Sequence, residues 1–215
     1  MEIIVDGVAK KIVIPNEVIV NIYFKATDND RETVINKGQN LVANFVEDVL
    51  VKLNYDKNEL KTRNFSINEE KKYNEQTKKY EIDGYVFSQN AIFKMDYNNE
   101  IIEKFILQTS KLEQTIEMNF QFGLKNKEIF EKELIQEAYE DAIKKASMLA
   151  VIAKKEIKDN ISTELINKLN SNYISNSIYE RNALQMVSHN NQYINSLYPE
   201  DIELYVSVST KWIAE

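Results

Sequence analysis

The chain contains no cysteine, which removes disulfide frameworks, thiolate nucleophiles and cysteine-type zinc sites together. Its single histidine, His189, cannot build a multi-histidine metal centre, and a Ser-His-Asp triad would have to recruit it. Two prolines and four glycines in 215 residues leave little material for flexible linkers, so most of the chain is expected to be regular structure. The glycines, Gly7, Gly38, Gly84 and Gly123, are isolated and form no phosphate-cradling loop. No serine sits in a G-x-S-x-G context. No stretch approaches the ~20 apolar residues of a spanning helix. The opening MEIIVDGVAKKIVIPNEVIV alternates and carries charge where a signal peptide is continuously apolar. The expectation is a cytoplasmic chain without membrane insertion.

What is present is ordinary for a globular protein, at 43% hydrophobic and 28% charged residues. The net charge of -7, from 34 acidic against 27 basic side chains, repels phosphate backbones, and nucleic acid is not an expected partner. The length suits one generous domain or two small ones.

Hydrophobic periodicity gives the order of elements. Residues 3–14 and 18–24 read as strands rich in β-branched residues, joined across Pro15-Asn16 into a hairpin. From Asp30 to Leu53 the positions Val34, Leu41, Phe45, Val49 and Leu53 recur at helical spacing, with Asp28 or Asp30 as the N-cap. Residues 60–73 and 80–97 read as a second, longer hairpin with a polar tip. Asn98 caps a short helix carrying Ile101, Ile102, Phe105 and Ile106, and residues 116–122 alternate as a half-buried strand. A long helix from Lys127 to about Lys155 carries a stripe of Leu134, Ala138, Ala142, Ala146, Ala150 and Ala153. Small side chains at steps of four let a helix lie close to a sheet or a neighbouring helix, and alanine supplies no acid, base or nucleophile. Residues 160–197, rich in Asn, Ser and Tyr, show no period and are expected to form a variable, mobile segment. Pro199 then precedes a last strand at 202–213.

Candidate chemistry is sparse. The carboxylate pairs Glu69-Glu70, Glu131 with Glu133, and Glu137 with Glu140 are bordered by lysines and read as solvated charge, while His189 reads as a solvated loop residue. The nearly balanced run Glu69 to Lys79 reads as a hairpin tip that resists edge pairing, with a docking patch as the alternative. No catalytic, cofactor-binding or metal-ligating residue is assigned, and no cofactor is expected.

Four stretches in order resemble the SIMPL-domain family: IIVDGVAKKIVIPNEVIVNI, ELKTRNFSINEEKKY, IDGYVFSQNAIFKM and the Ala-rich EAYEDAIKKASMLAVIAKK, which follows MNFQFGL. The resemblance spans nearly the whole chain and closes on PEDIELYVSVSTKW. It implies an α+β fold, antiparallel β-hairpin strands packed against long α-helices in the order ββα-ββα-βα-β. It further implies one SIMPL-like domain over 1–215, open to division into two α/β subdomains, in a bacterial protein whose relatives are often exported. Family members include ring-like or channel-like homo-oligomers and an adaptor linked to a signalling kinase, with no established enzymatic activity. The leading expectation is therefore a non-catalytic, self-associating protein that binds copies of itself or a protein partner. A small-molecule or peptide-binding module using a cleft between sheet and helices comes second, and a hydrolase using carboxylates third.

Overall fold

The computed structural model describes residues 1–112, 116–173 and 197–215. Among these the chain forms seven strands and three α-helices: β1 (Glu2–Val13), β2 (Glu17–Asp28), α1 (Arg31–Phe45), β3 (Lys61–Asn74), β4 (Lys79–Asp96), α2 (Asn99–Thr109), β5 (Glu117–Gly123), α3 (Lys127–Ile152), β6 (Ile157–Tyr173) and β7 (Ile202–Ala214). The strands make two antiparallel sheets, ordered β1-β7-β6 and β3-β4-β2-β5. The expected α+β class of hairpin strands and long helices is the one observed, with one more strand at the C-terminal end, so that the order is ββα-ββα-βα-ββ. The chain divides into two compact units, one holding the three-stranded sheet and α3, the other Asn16–Gly123.

In the first unit, the central strand β7 turns Ile202, Leu204, Val206, Val208, Thr210, Trp212 and Ala214 to one side, all buried. Period-two alternation puts every second residue on that face. Against it and β1 lies α3, whose Leu134, Ala138, Ala142, Ala146 and Ala150 are buried. The approach is closest at Gly7, where an added Cβ would fall 1.9 Å from the Ala138 carbonyl oxygen and 2.8 Å from the Ala142 Cβ. Ala153, expected to continue the stripe, instead caps the helix and is exposed, because the next residue, Lys154, turns into the left-handed region at φ 55° and ends the helix.

The outer edge of β1 is occupied by α3 side chains. The Val8 amide donates to the Asp141 carboxylate at 2.9 Å, the Lys145 ammonium donates to the Asp6 carbonyl at 2.9 Å, and Lys145 and Asp141 pair at 2.7 Å. One ion pair thus supplies the acceptor and the donor that a neighbouring strand would have supplied.

In the second unit, Val18, Val20, Ile22 and Phe24 of β2 and Ala91, Phe93 and Met95 of β4 face α1 and α2. Phenylalanines fill the space: Phe93 stacks on Phe105 at 5.4 Å, and Phe45 meets Phe24 and Phe105 edge-on at 5.4 and 6.1 Å. Asp30 caps α1 by accepting from the Thr33 amide, and Asn98 caps α2 by accepting from Glu100 and Ile101, as the sequence pattern requires. The helix expected to run to Leu53 is α-helical only to Phe45, then widens into a π turn at Val46–Leu50 and tightens into a 3-10 turn that ends at left-handed Asn54. The Asp48 carbonyl within the π turn accepts from the Gln108 side chain at 2.6 Å.

Two expectations are overturned. Residues 3–14 and 18–24 do not form a hairpin: among the described strands β1 pairs with β7, and β2 pairs with β4 and β5. A tight two-residue hairpin turn needs positive φ, which Pro15 cannot adopt and no residue nearby does. Asn16 instead bonds to Gly123 and Tyr97, extending the ladders that flank β2. The second correction is β6, where the sequence shows no period for the part from residue 160 onward. Its pairing with β7 slips between Ile157 and Asp159, Asn160 and Ser162, Leu165 and Asn167, and Asn167 and Asn170, and each bulge breaks the alternation by which a strand is recognised. Residues 174–196 of the stretch expected to be mobile lie outside the described residues, and His189 with them.

Replacing Gly7 by alanine should destabilise the protein at or beyond the upper end of the ~1–3 kcal/mol typical of overpacking, since the clash is with backbone. Ala146→Leu should cost ~1–3 kcal/mol by the same mechanism. Urea midpoints of the purified variants measure both. The Asp141 carboxyl is held below its usual range by the hydrogen bond from Lys145 and then by the Val8 amide. A carboxylate whose folded pKa is depressed stabilises the fold above its unfolded pKa and loses that contribution as pH falls through the folded value. Asp141→Asn should therefore be less stable than wild type at pH 7, with the two converging well below the ordinary Asp value of ~3.9. Denaturant titrations at neutral and acid pH check the convergence.

Candidate interaction surface

The hairpin of β3 and β4 outruns its sheet. The last pairing of β2 with β4 joins Asp28 to Tyr85, whereas β3 and β4 stay paired to Asn74 and Lys79, so residues 69–84 form a two-stranded arm beyond β2. Its turn is built locally: the Asn74 side chain accepts from Gln76 and Thr77, Lys78 supplies a positive φ, and Glu81 accepts from Asn74 and Thr77, bonds that hold its carboxyl below the usual range.

Register decides what the arm presents. Ile67 lies opposite Phe87, which is buried under α1 where Gly38 leaves room for its ring, so the odd-numbered residues of β3 from Phe65 to Tyr73 share the helix side of the sheet. Counting back from Phe87, plain alternation would send Ile82 and Tyr80 to the opposite face. The pairing instead slips at Asp83, with Glu70 opposite Gly84 and Lys71 opposite Ile82. The bulge returns Ile82 and Tyr80 to the side of Tyr73, whose ring meets that of Tyr80 edge-on at 5.3 Å. Past the helices, the core-side face of the sheet therefore continues as an uncovered surface of Tyr73, Tyr80 and Ile82, with Tyr80 72% and Ile82 53% exposed.

The other side of the sheet is polar. Register aligns Asn64, Asn90, Tyr23 and Glu117 across all four strands, with Asn21 beside Asn119 one row over. Together with Arg63 they line a shallow concavity of about 370 Å³. Several of these groups already satisfy one another: Asn90 donates to Asn64 at 2.8 Å, and the Tyr23 hydroxyl lies 3.0 Å from that of Ser88. A second concavity, of about 410 Å³, lies beside the π turn, lined by Leu41, Asn44, Asp48, Lys52, Gln108, Lys111 and Leu112. Here Lys52 is paired with Asp48 and Lys111 donates to Gln108. Neither concavity lies in a cleft between sheet and helices, where the phenylalanines close the space.

The carboxylates weighed from sequence are dispersed. Glu69 and Glu70 are exposed on the arm, with Glu69 3.2 Å from Lys71. Glu133 pairs with Lys11 at 2.8 Å, Glu140 accepts from Gln136, and Glu131 and Glu137 lie on the same helix. Among the described residues no three Asp, Glu or His side chains gather as a metal cluster. Sequence reasoning missed the exposed apolar face, because it depends on the bulge at Asp83.

Residues 3–212 match the SIMPL family, described as a protein of unknown function (DUF541). The chain belongs to the SIMPL family. No curated protein matches it. The matched span contains all four stretches that carry the resemblance and takes in strands of both sheets.

The arm's aromatic face is exposed and lies outside the phenylalanine core. Tyr80→Ser with Ile82→Ser should change stability by less than ~0.5 kcal/mol per site, as at other exposed positions. Phe87→Ala, under α1, should cost ~3–5 kcal/mol. Thermal unfolding of the two variants gives the contrast.

Proposed function

We propose that this SIMPL protein is a non-catalytic module that associates with further copies of itself through the free edge of β3. The observation that carries this reading is the arm: a long edge strand, exposed along nearly all its length, whose apolar face is left uncovered. An isolated two-stranded ribbon is marginal in water, and an unpaired edge is a template for a further strand.

The sequence of the edge favours a copy of itself. An antiparallel pair about a two-fold axis through Glu70 sets Glu69 opposite the second copy's Lys71 and Ile67 opposite its Tyr73, each contact occurring twice. Like charges then meet only at Glu70 itself. The register centred on Lys71 also forms two Glu-Lys pairs, between positions 70 and 72, but loses the apolar pair. A second reading, a small polar ligand on the amide-lined face, is favoured by the row of Asn64, Asn90, Tyr23 and Glu117.

Since the chain lacks cysteine, one introduced thiol reports the register without background. Residues directly opposite in an antiparallel pair stand ~4.5–5.5 Å apart at Cα, within disulfide reach. Glu70→Cys should cross-link to itself under mild oxidation faster than a control Ser147→Cys on α3, and light scattering should give a mass above one 25.2 kDa chain. A mass of one chain at every concentration would sink the self-association. Oligomers in which the Glu70→Cys variant links no faster than the Ser147→Cys control would sink the β3 interface alone.

A further inference from the structure

The C-terminal end of α3 combines two features that ordinarily exclude each other on a protein surface. Met148, Leu149, Val151 and Ile152 are all exposed within five residues, Val151 and Ile152 at 73% each. Around them, residues 144–158 contain five lysines and one glutamate, a local excess of four positive charges in a chain whose net charge is -7. Asp141 and Asp159 bound this stretch, and Asp141 is engaged by Lys145 and the Val8 amide.

Ordinary helix architecture explains only part of this. Lysines near a helix C-terminus complement its partial negative charge, and α3 carries most of its carboxylates in its first four turns. That accounts for cations but not for four aliphatic side chains in water. The buried stripe of α3 is already satisfied by Ala142, Ala146 and Ala150 against the sheet, so the exposed group is a second apolar surface. Helical spacing places Lys144, Met148 and Ile152 in one row, and Lys155 follows just beyond the left-handed Lys154 that ends the helix. Lys144, Lys154 and Lys155 form no ion pair among the described residues. Lys154 also stands in the left-handed conformation at φ 55°, where glycine would be lower in energy.

We infer that this helix end docks on an anionic lipid surface. The composition decides between a bilayer and a protein partner. Protein interfaces concentrate their energy in Trp, Tyr and Arg and are poor in lysine, whereas this patch has no aromatic residue, no arginine and five lysines. Lysine is suited to a bilayer: its four-carbon stem lies along the apolar layer while the ammonium reaches the phosphates. The contact is peripheral, since no described helix is long and apolar enough to cross a membrane. The acidic remainder of the protein is repelled by the same surface.

The test is co-sedimentation with vesicles of equimolar phosphatidylglycerol and phosphatidylcholine, compared with phosphatidylcholine alone. Wild type should pellet with the anionic vesicles, not with the neutral ones, and binding should weaken as salt is raised. Val151→Asp with Ile152→Asp, and separately Lys144→Glu with Lys154→Glu, should each bind at least tenfold more weakly, with circular dichroism and unfolding midpoints matching wild type because these side chains are exposed. The β3 variant Tyr80→Ser with Ile82→Ser should bind as wild type, which separates this patch from the arm. Failure to pellet with anionic vesicles overturns the inference, as does equal binding by the helix variants. Equally tight binding of soluble glycerol phosphate would assign the site to a free anion instead. A drop in oligomer mass on Val151→Asp with Ile152→Asp, without vesicle binding by wild type, would assign the patch to a second copy.

Discussion

The contact of Gly7 with α3 is the constraint on which the first unit rests. A β1 residue with any side chain at this position would overlap the Ala138 carbonyl, so the helix can lie this close only because glycine faces a stripe of alanines. Closeness has a second effect. It brings Asp141 and Lys145 within reach of the outward-pointing amide of Val8 and carbonyl of Asp6, and their ion pair occupies the edge of β1 as a further strand would. A helix held farther off by larger side chains would leave those backbone groups to water. Packing and edge protection are thus one arrangement, carried by the two sides of a single helix.

The same comparison shows why the edges of the two sheets are not equivalent. On β1 the backbone groups are engaged by fixed side chains of the same unit. On β3 the edge carries Glu69, Glu70, Lys71 and Lys72 pointing alternately to the two faces, with nothing seated across it within the described second unit. Charged residues on an edge usually discourage pairing. A run of two acids followed by two bases is a weaker deterrent against its own antiparallel copy than against most other strands, because reversal sets acid against base.

Legibility in the sequence followed how local each determinant was. The caps at Asp30 and Asn98, the helix of alanines and the long second hairpin were readable because each depends on residues within a turn or two. The pairing of β1 was not, since its partner β7 lies at the other end of the chain and Pro15-Asn16 resembles a turn while lacking the backbone freedom a tight hairpin needs. β6 was hidden by its own irregularity: four slips against β7 erase the period-two signal, and its Asn and Ser content resembles a loop. The candidate surface failed for the same reason at smaller scale. One bulge at Asp83 moves Ile82 and Tyr80 from one face to the other, and bulges are set by pairing, which a single strand does not encode.

That bulge also bears on what the arm can be. If β4 ran regularly through Asp83, Tyr80 and Ile82 would be separated from Tyr73 by the thickness of the sheet, leaving each face with isolated apolar residues of the kind any surface tolerates. With the bulge, they join Tyr73 on the side that continues the core of the sheet. Charge and aromaticity in the arm are sorted as well: Glu70, Lys72, Asn74, Lys79 and Glu81 take one face, while Glu69 and Lys71, paired with each other, share the other with the aromatic residues. The arm lies beyond the last residue paired with β2 and outside the phenylalanine core of the second unit. This segregated face, outside the core of the unit, is one of the two observations behind the proposed self-association, and the reversed charges of the adjoining edge are the other.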